Sequence, residues 1–318
     1  MRYIEDMRDG EMVSGVYLCK TQQLQKTKQG KSYISLVLQD KSGTLDSKIW
    51  DLGPGIGHFE AMDYVKVDGQ VSLFNGANQL KIVRIRKADE NEYVTSDYMP
   101  TTDKDVKVMY KELLGFVDSV KEPHLKALLD AFFRDKEYSR RFVNHSAAKS
   151  VHHGFVGGLL EHTLGVTKNC AMFAENYPLL NRDLLLTAAM FHDVGKLEEL
   201  STFPENDYTD DGNLLGHIFL GAELVGRLAD QVENFPPKLL SELKHCILAH
   251  HRKLEFGSPK VPALAEAMAL SFADDLDAKM EQFKELFRNS QQSGNQDGWL
   301  GYQKLLESNV RPTSKDGK

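Results

Sequence analysis

The sequence predicts two domains, a small all-β barrel followed by an all-α domain. Short β-rich runs with partial alternation of apolar and polar side chains fill residues from about 12 to 88. Apolar side chains at helical spacing dominate from about 105 to 288. The 318 residues are enough for two domains. The sequence contains no run of about 18 apolar residues, so we expect no membrane span.

The barrel prediction rests on short strands separated by turn residues. The predicted strands cover residues 12–20, 32–39, 44–50, 64–74 and 79–87. Asn75-Gly76 predicts a tight turn between the last two. Five short strands in ~75 residues fit a closed barrel of the OB-fold type. The glycines around Pro54 are interpreted as a connection, because no Lys-Ser/Thr follows them as in a phosphate loop.

Charge is divided unevenly along the chain. Residues 13–87 hold eleven Lys and Arg against six Asp and Glu, so this part carries 11 − 6 = +5. The whole chain carries −7, which leaves −7 − 5 = −12 for the remainder. A basic barrel could bind the phosphates of a nucleic acid, and an acidic body could bind metal ions.

The second domain is predicted from helical periodicity after a polar stretch at residues 89–103. The predicted helical segments cover residues 105–120, 123–144, 157–176, 183–194, 217–233, 237–251 and 262–287. The predicted boundaries are residues 1–95 for the barrel, 96–150 for a linker with connecting helices, 151–290 for the helical domain and 291–318 for a polar tail.

The pair His192-Asp193 ends the apolar run 184–191, and Gly195 is predicted to cap that helix. The last carbonyls of a helix and its macrodipole favour a cation. A buried imidazole beside a buried carboxylate is costly without a partner, and a divalent metal would satisfy both.

Further ligand-type side chains occur where other helices are predicted. His162 lies on an amphipathic helix, His217 opens the next helical segment, and His250 and His251 close another. Asp274 follows a strongly apolar stretch. Histidine and carboxylate ligands without cysteine exclude a structural zinc finger and suit Mn, Mg, Co, Fe or catalytic Zn. These residues predict one cluster that binds one or two such ions.

The cysteines form neither a close pair nor a zinc-binding spacing. They are Cys19, Cys170 and Cys246. We interpret them as buried thiols in a reducing cytosol, which places the protein in the cytoplasm.

The histidine and aspartate spacing resembles the H…HD…D signature of the HD-domain phosphohydrolase superfamily. The order of the whole chain resembles the YhaM-type 3′-to-5′ exoribonucleases, which join an OB-fold to an HD domain. The matching stretches are residues 152–163, 191–196, 215–217, 249–251 with 257–259, and 273–279. The resemblance covers nearly the whole chain except the tail.

The resemblance implies a two-metal site in which Asp193 bridges the ions. The implied ligands of the first ion are His162, His192, Asp193 and Asp274. The second ion is assigned to His217 and His250, with His251 as an open alternative, since neighbours on a helix point about 100° apart. Asp275 and Asp277 would support ligands or lie on the surface.

The implied catalytic residues are His192, Asp193 and Lys196. Lys196 would neutralise a phosphate oxygen, or it is only a charge at a helix end. His152 and His153 line the substrate path or merely pack. A metal can lower the pKa of water to roughly 7, and attack at a free 3′ end would release nucleoside 5′-monophosphates.

The barrel would hold single-stranded RNA by stacking and by phosphate contacts. The candidate aromatic residues are Tyr17, Tyr33, Trp50 and Phe74, and the candidate phosphate-binding residues include Lys28 and Arg84. Filling a small core is the alternative role of each aromatic residue.

Two other functions stay open: a nucleotide or cyclic-dinucleotide phosphohydrolase, and a non-catalytic nucleic-acid-binding factor. Single-stranded DNA as a second substrate also stays open. The partners expected are therefore nucleic acids and no membrane. The apolar residues 261–272 could pack on a second copy, so a homo-oligomer is a further open alternative.

Overall fold

The computed structural model describes residues 2–27, 29–74, 77–149, 154–292 and 298–313. The chain divides into two compact units. One comprises residues 1–103 with 201–207, and the other comprises residues 104–200 with 208–318. Each unit has its own hydrophobic core, as expected of separate domains.

The first unit is a closed five-stranded barrel. Its strands are β1 (Met12–Lys26), β2 (Ser32–Asp40), β3 (Gly43–Ile49), β4 (Tyr64–Phe74) and β5 (Ala77–Lys87). Their order is β1-β2-β3-β5-β4, and β1 closes the barrel on β4. Antiparallel pairing holds throughout except for the parallel pair β3–β5. The predicted OB-type barrel is confirmed.

Strand β1 is six residues longer than predicted, because a register shift between Cys19 and Thr21 lets it bend and continue along β2. The predicted turn at Asn75-Gly76 lies outside the described residues.

Tyr17 was a wrong candidate for stacking on RNA. Its ring is fully buried in the barrel core, and its hydroxyl donates to the Arg2 carbonyl at 2.7 Å.

The polar stretch after β5, predicted as linker, is structured. It forms two 3₁₀ turns, Glu90–Glu92 and Thr95–Asp97. The Tyr93 ring stacks on Tyr64 of β4 with 3.9 Å between ring centroids, and Tyr98 is buried beside them. Aromatic rings thus fasten this stretch to the barrel.

The second unit is helical. Its described helices are α1 (Val106–Ser119), α2 (Pro123–Phe133), α3 (Lys136–Asn144), α4 (Gly158–Asn176), α5 (Arg182–Phe191), α6 (Lys196–Glu199), α7 (Asp210–Ala229), α8 (Pro237–Leu248) and α9 (Ala265–Gln292). All residues of α5 from Leu184 to Phe191 are buried, so it is the central helix of the unit. Across the described residues, none of the helices is both long enough and apolar enough to span a bilayer.

Several helix boundaries differ from the predicted ones for local reasons. The segment 123–144 is two helices, because the Asp135 side chain caps α3 by accepting from Glu137 N and Tyr138 N. Helix α7 begins earlier than predicted because Thr209 caps it, and it kinks at Gly216, whose φ is 72°. In the tail, two short strands pair, β6 (Tyr302–Gln303) and β7 (Ser308–Asn309).

Gly195 is not the predicted left-handed helix cap, since it has φ −63° and precedes α6. A Cβ atom added at Gly195 would lie 2.0 Å from the His217 carbonyl oxygen and 2.5 Å from Gly221 N. Glycine is therefore required because the turn after α5 presses against the backbone of α7. This contact places the end of α5 next to His217.

Replacing Gly195 with Ala should lower the free energy of unfolding of the helical domain by at least about 1–3 kcal/mol. The added Cβ atom would clash with backbone atoms of α7, which cannot move as easily as a side chain. Urea denaturation followed by circular dichroism measures this. Gly115→Ala in α1 is the control. Its Cβ would meet no atom within 4 Å, so it should raise stability by about 0.5–1 kcal/mol. Equal stability of the two variants would contradict the packing argument.

Candidate metal centre

The predicted ligands are brought together from five separate parts of the helical unit. His162 lies in α4, His192 and Asp193 directly follow α5, and Asp274 lies in α9. His217 begins the second part of α7 after the kink at Gly216, and His250 and His251 follow α8. His192 and Asp193 are almost fully buried, with relative exposures of 0% and 2%.

Each of four histidines is oriented by a hydrogen bond at Nδ1. His192 and His250 lie 2.7 Å from the carbonyl oxygens of Ala189 and Ile247, one turn earlier in the chain. A carbonyl oxygen only accepts, so Nδ1 of each ring donates. Nε2 then faces the centre of the site, which is the arrangement of metal-binding histidines.

Carboxylates orient the other two rings. His162 Nδ1 lies 2.7 Å from Asp277 Oδ2, and His217 Nδ1 lies 2.8 Å from Glu199 Oε1. Glu199 also accepts from the backbone N–H of His217 at 2.9 Å, so it fixes both the ring and the start of its helix. Glu199 was not among the predicted site residues, and Asp277 was expected only to support ligands or to lie on the surface.

The first ligand cluster comprises His162, His192, Asp193 and Asp274. His162 Nε2 lies 3.1 Å from Asp274 Oδ1 and 3.4 Å from Asp193 Oδ2. His192 Nε2 also lies 3.4 Å from Asp193 Oδ2 and 3.9 Å from Asp274 Oδ1. Atoms bound at about 2.1 Å to one ion lie ~3–4 Å from each other, so these side chains fit a shared divalent ion.

The second cluster comprises His217, His250 and His251, and the other oxygen of Asp193 faces it. Asp193 Oδ1 lies 3.5 Å from His217 Nε2 and 3.7 Å from His250 Nε2. These three atoms are buried and have no hydrogen-bond partner among the described residues. Buried polar atoms normally have a partner, so a cation between them would satisfy all three. The ligand atoms of the three histidines lie within 4.8 Å of one another.

The prediction that only one of His250 and His251 need be a ligand assumed that both lie on a helix. That assumption was wrong, because α8 ends at Leu248 and both residues lie in the turn that follows. Their rings have centroids 4.2 Å apart, and both belong to the second cluster.

The charge of the site is balanced around Asp193. Burial would raise the pKa of Asp193, but Lys196, His192 and His217 lower it well below its ordinary value. Burial would also lower the pKa of His162, but hydrogen bonds with Asp274 and Asp277 raise it to about 10. Burial, followed by the neighbouring His251, lowers the pKa of His250 well below its usual range.

Metal ligands must be deprotonated, so an ion bound by His162 would compete with the proton that its carboxylate partners favour.

The Lys196 side chain is 16% exposed and contacts Asp193. Its Nζ lies 2.5 Å from Asp193 Oδ2, and the carboxylate raises the pKa of Lys196 despite burial. The ammonium therefore remains charged beside the first cluster. A phosphate oxygen at this cluster would lie within reach of the ammonium.

The barrel residues predicted to bind RNA lie in different settings. The rings of Tyr33 and Trp50 stack at 4.6 Å, and 37% of Trp50 is exposed. Phe74 is also exposed, and Arg84 pairs with Asp68 at 3.0 Å. The candidates Lys28, His152 and His153 lie outside the described residues.

Comparison with known proteins identifies the helical unit first. A family model described as the HD domain matches residues 159–279, which contain both ligand clusters. The helical unit thus contains an HD domain, a class of metal-dependent enzymes, and its His and Asp clusters could bind metal.

Most of the chain is similar to the 3′-5′ exoribonuclease YhaM of Bacillus velezensis. The two are 37% identical over 273 residues, which covers 85% of this chain and 86% of the relative. The chain therefore belongs to the family of YhaM-type 3′-5′ exoribonucleases.

Solved structures match shorter parts of the chain. The second OB-fold domain of replication protein A from Methanococcus maripaludis is 16% identical and covers 28% of this chain and 95% of that chain, with a TM-score of 0.22. The p204 HINb domain is 17% identical and covers 27% of this chain and 46% of that chain, with a TM-score of 0.23.

Replacing Glu199 with Gln should weaken binding of one divalent ion about 10- to 100-fold, because the ring of His217 loses its anionic partner. Calorimetric titration of metal-stripped protein with Mn²⁺ measures this as a change confined to one of two binding steps. Glu198→Gln is the matched control, since that carboxylate is directed to Arg141 at 2.9 Å. Identical titrations of the two variants would show that Glu199 does not support a ligand.

Proposed function

We propose that this protein is a metal-dependent 3′-to-5′ exoribonuclease that degrades single-stranded RNA to nucleoside 5′-monophosphates. The proposal rests above all on Asp193, whose two oxygens face two separate groups of histidines. The similarity to YhaM over most of the chain supports the polarity and the substrate. In this proposal, residues 1–95 bind the strand and residues 151–290 hydrolyse it. Residues 96–150 join these two domains, and residues 291–318 form a tail.

The residues fit a pair of divalent ions. His162, His192, Asp193 and Asp274 would hold one, and His217, His250 and His251 would hold the other with Asp193 between them. Imidazole and carboxylate ligands suit Mn first, with Mg, Co, Fe or Zn as alternatives. When bound, such ions supply an activated water and shield the charge of a phosphodiester.

The protein groups around this centre would position and neutralise the substrate. Lys196 stays cationic beside Asp193, so it would stabilise negative charge on a phosphate oxygen rather than donate a proton. The bonds at Nδ1 keep the rings of His192 and His250 in place while charge develops. Fixed groups of this kind need no rearrangement in the transition state, which lowers the barrier.

A 5′-labelled single-stranded RNA tests the activity. Metal-stripped protein with Mn²⁺ added back should give a one-nucleotide ladder descending from the 3′ end, and 3′-labelled RNA should release only labelled mononucleotide. Asp193→Asn should reduce the rate more than about 100-fold, since loss of a group that merely supports a metal ligand already costs 10- to 100-fold. Asp211→Asn, an exposed carboxylate in the first turn of α7, should leave the rate unchanged.

The same assay separates the other functions. Release from free nucleotides or cyclic dinucleotides but not from RNA would assign the site to small substrates. RNA binding that survives metal removal, without degradation when Mn²⁺ returns, would indicate a non-catalytic binding factor. The rate of hydrolysis of a DNA strand of the same sequence shows whether the activity requires ribose.

In the barrel, the exposed face of Trp50 is proposed as a stacking platform for a base. Trp50→Leu should weaken binding of labelled single-stranded RNA to the Asp193→Asn protein about 5- to 150-fold, because stacking of one base contributes ~1–3 kcal/mol. Trp299→Leu, which removes the other tryptophan, is the control and should not change affinity. Fluorescence anisotropy measures both, and equal affinities would remove Trp50 from the RNA-binding surface.

We further propose that the protein acts in the cytoplasm. Cys19, Cys170 and Cys246 are all buried free thiols, as expected in a reducing compartment.

A further inference from the structure

A pocket of about 400 Å³ opens beside the two ligand clusters. Its lining residues are His250, His251, Arg252, Ser271, Asp274, Asp275 and Ala278. Three of these are candidate metal ligands, so the pocket adjoins the point where the scissile phosphate would lie. Its volume falls in the range of ~300–1,000 Å³ in which proteins bind small molecules. It is therefore large enough for one nucleotide.

Arg252 enters this pocket from a strained backbone position. Its φ is 66°, in the left-handed region that costs a residue with a Cβ atom about 1–3 kcal/mol. The strained turn is held by a hydrogen bond from Arg252 N to the Ala249 carbonyl at 2.8 Å. Because the turn follows His250 and His251 directly, it places Arg252 in the pocket wall next to these candidate ligands.

The guanidinium of Arg252 contacts an aromatic ring. Its central carbon lies 4.8 Å from the centroid of the Phe272 ring, within the range of a cation–π contact. Among the residues that the structure describes, no carboxylate forms an ion pair with Arg252, although Asp275 lines the same pocket. A guanidinium stacked on a ring keeps its N–H edge free for a phosphate, which it can bind through two parallel hydrogen bonds.

We propose that Arg252, supported by Phe272, binds the backbone phosphate one nucleotide before the scissile one and so holds the penultimate nucleotide of RNA in this pocket. The inference rests on the proposed exoribonuclease function and adds a residue that positions the strand. The charge of a neighbouring phosphate does not change during hydrolysis. Arg252 therefore contributes equally to binding the ground state and the transition state, which affects KM and not kcat.

The test compares Arg252→Met with the wild type in the RNA assay with Mn²⁺. KM should rise about 10- to 100-fold, the range of a hydrogen bond to a charged group, while kcat stays within about twofold. The dependence of log KM on log salt should become shallower by about 0.7, since one phosphate contact on a single strand is lost. Arg227→Met in α7, an exposed arginine near Glu223, is the control and should change neither quantity.

A second variant, Arg252→Gly, distinguishes loss of the phosphate contact from a folding defect. Glycine adopts a positive φ without strain, so this variant should be at least as stable as the wild type and still lose the phosphate contact. Thermal unfolding and titration with Mn²⁺ verify that the fold and the metal centre are intact.

The outcomes separate the two proposals. A wild type that leaves RNA intact overturns the proposed function. A wild type that degrades RNA, together with variants of unchanged KM and unchanged salt dependence, overturns only the role of Arg252. A loss of kcat and of Mn²⁺ binding in both variants also overturns it, because Arg252 would then act through His251.

Discussion

The structure depends on keeping one carboxylate, Asp193, ionised inside a helical core. A buried anion is costly unless cations or hydrogen-bond donors surround it. Here an ammonium and imidazoles from four different parts of the unit supply that surrounding. Each imidazole is turned by a partner at its far nitrogen, so the orientation of the site is set by groups that would never touch the metal.

Backbone packing makes this convergence possible. The turn after α5 contacts α7 so closely that only glycine fits at position 195, and the kink at Gly216 lets His217 begin a new helical direction. The end of a buried helix, the start of another and the turn after a third thus meet at one point. The two helix ends among these are rigid elements, which position side chains more accurately than loops do.

The sequence predicted the barrel, the helical unit and the residues of both ligand clusters. Alternation and turn residues indicated the strands, and adjacent ligand-type side chains at helix ends indicated the candidate metal centre. The arrangement of His250 and His251 could not be predicted, because periodicity does not show that α8 stops at Leu248. Glu199 escaped notice for a similar reason: only the folded chain brings it to His217. The role of Gly195 was misjudged because a glycine needed for close contact looks in sequence like one needed for a cap.

The ion pair between Lys196 and Asp193 places a counter-charge from the chain itself next to the buried carboxylate. In small zinc domains the bound ion supplies the folding free energy, and a chelator unfolds them. Here an ammonium already compensates the central carboxylate, so less of the folding free energy depends on a bound ion.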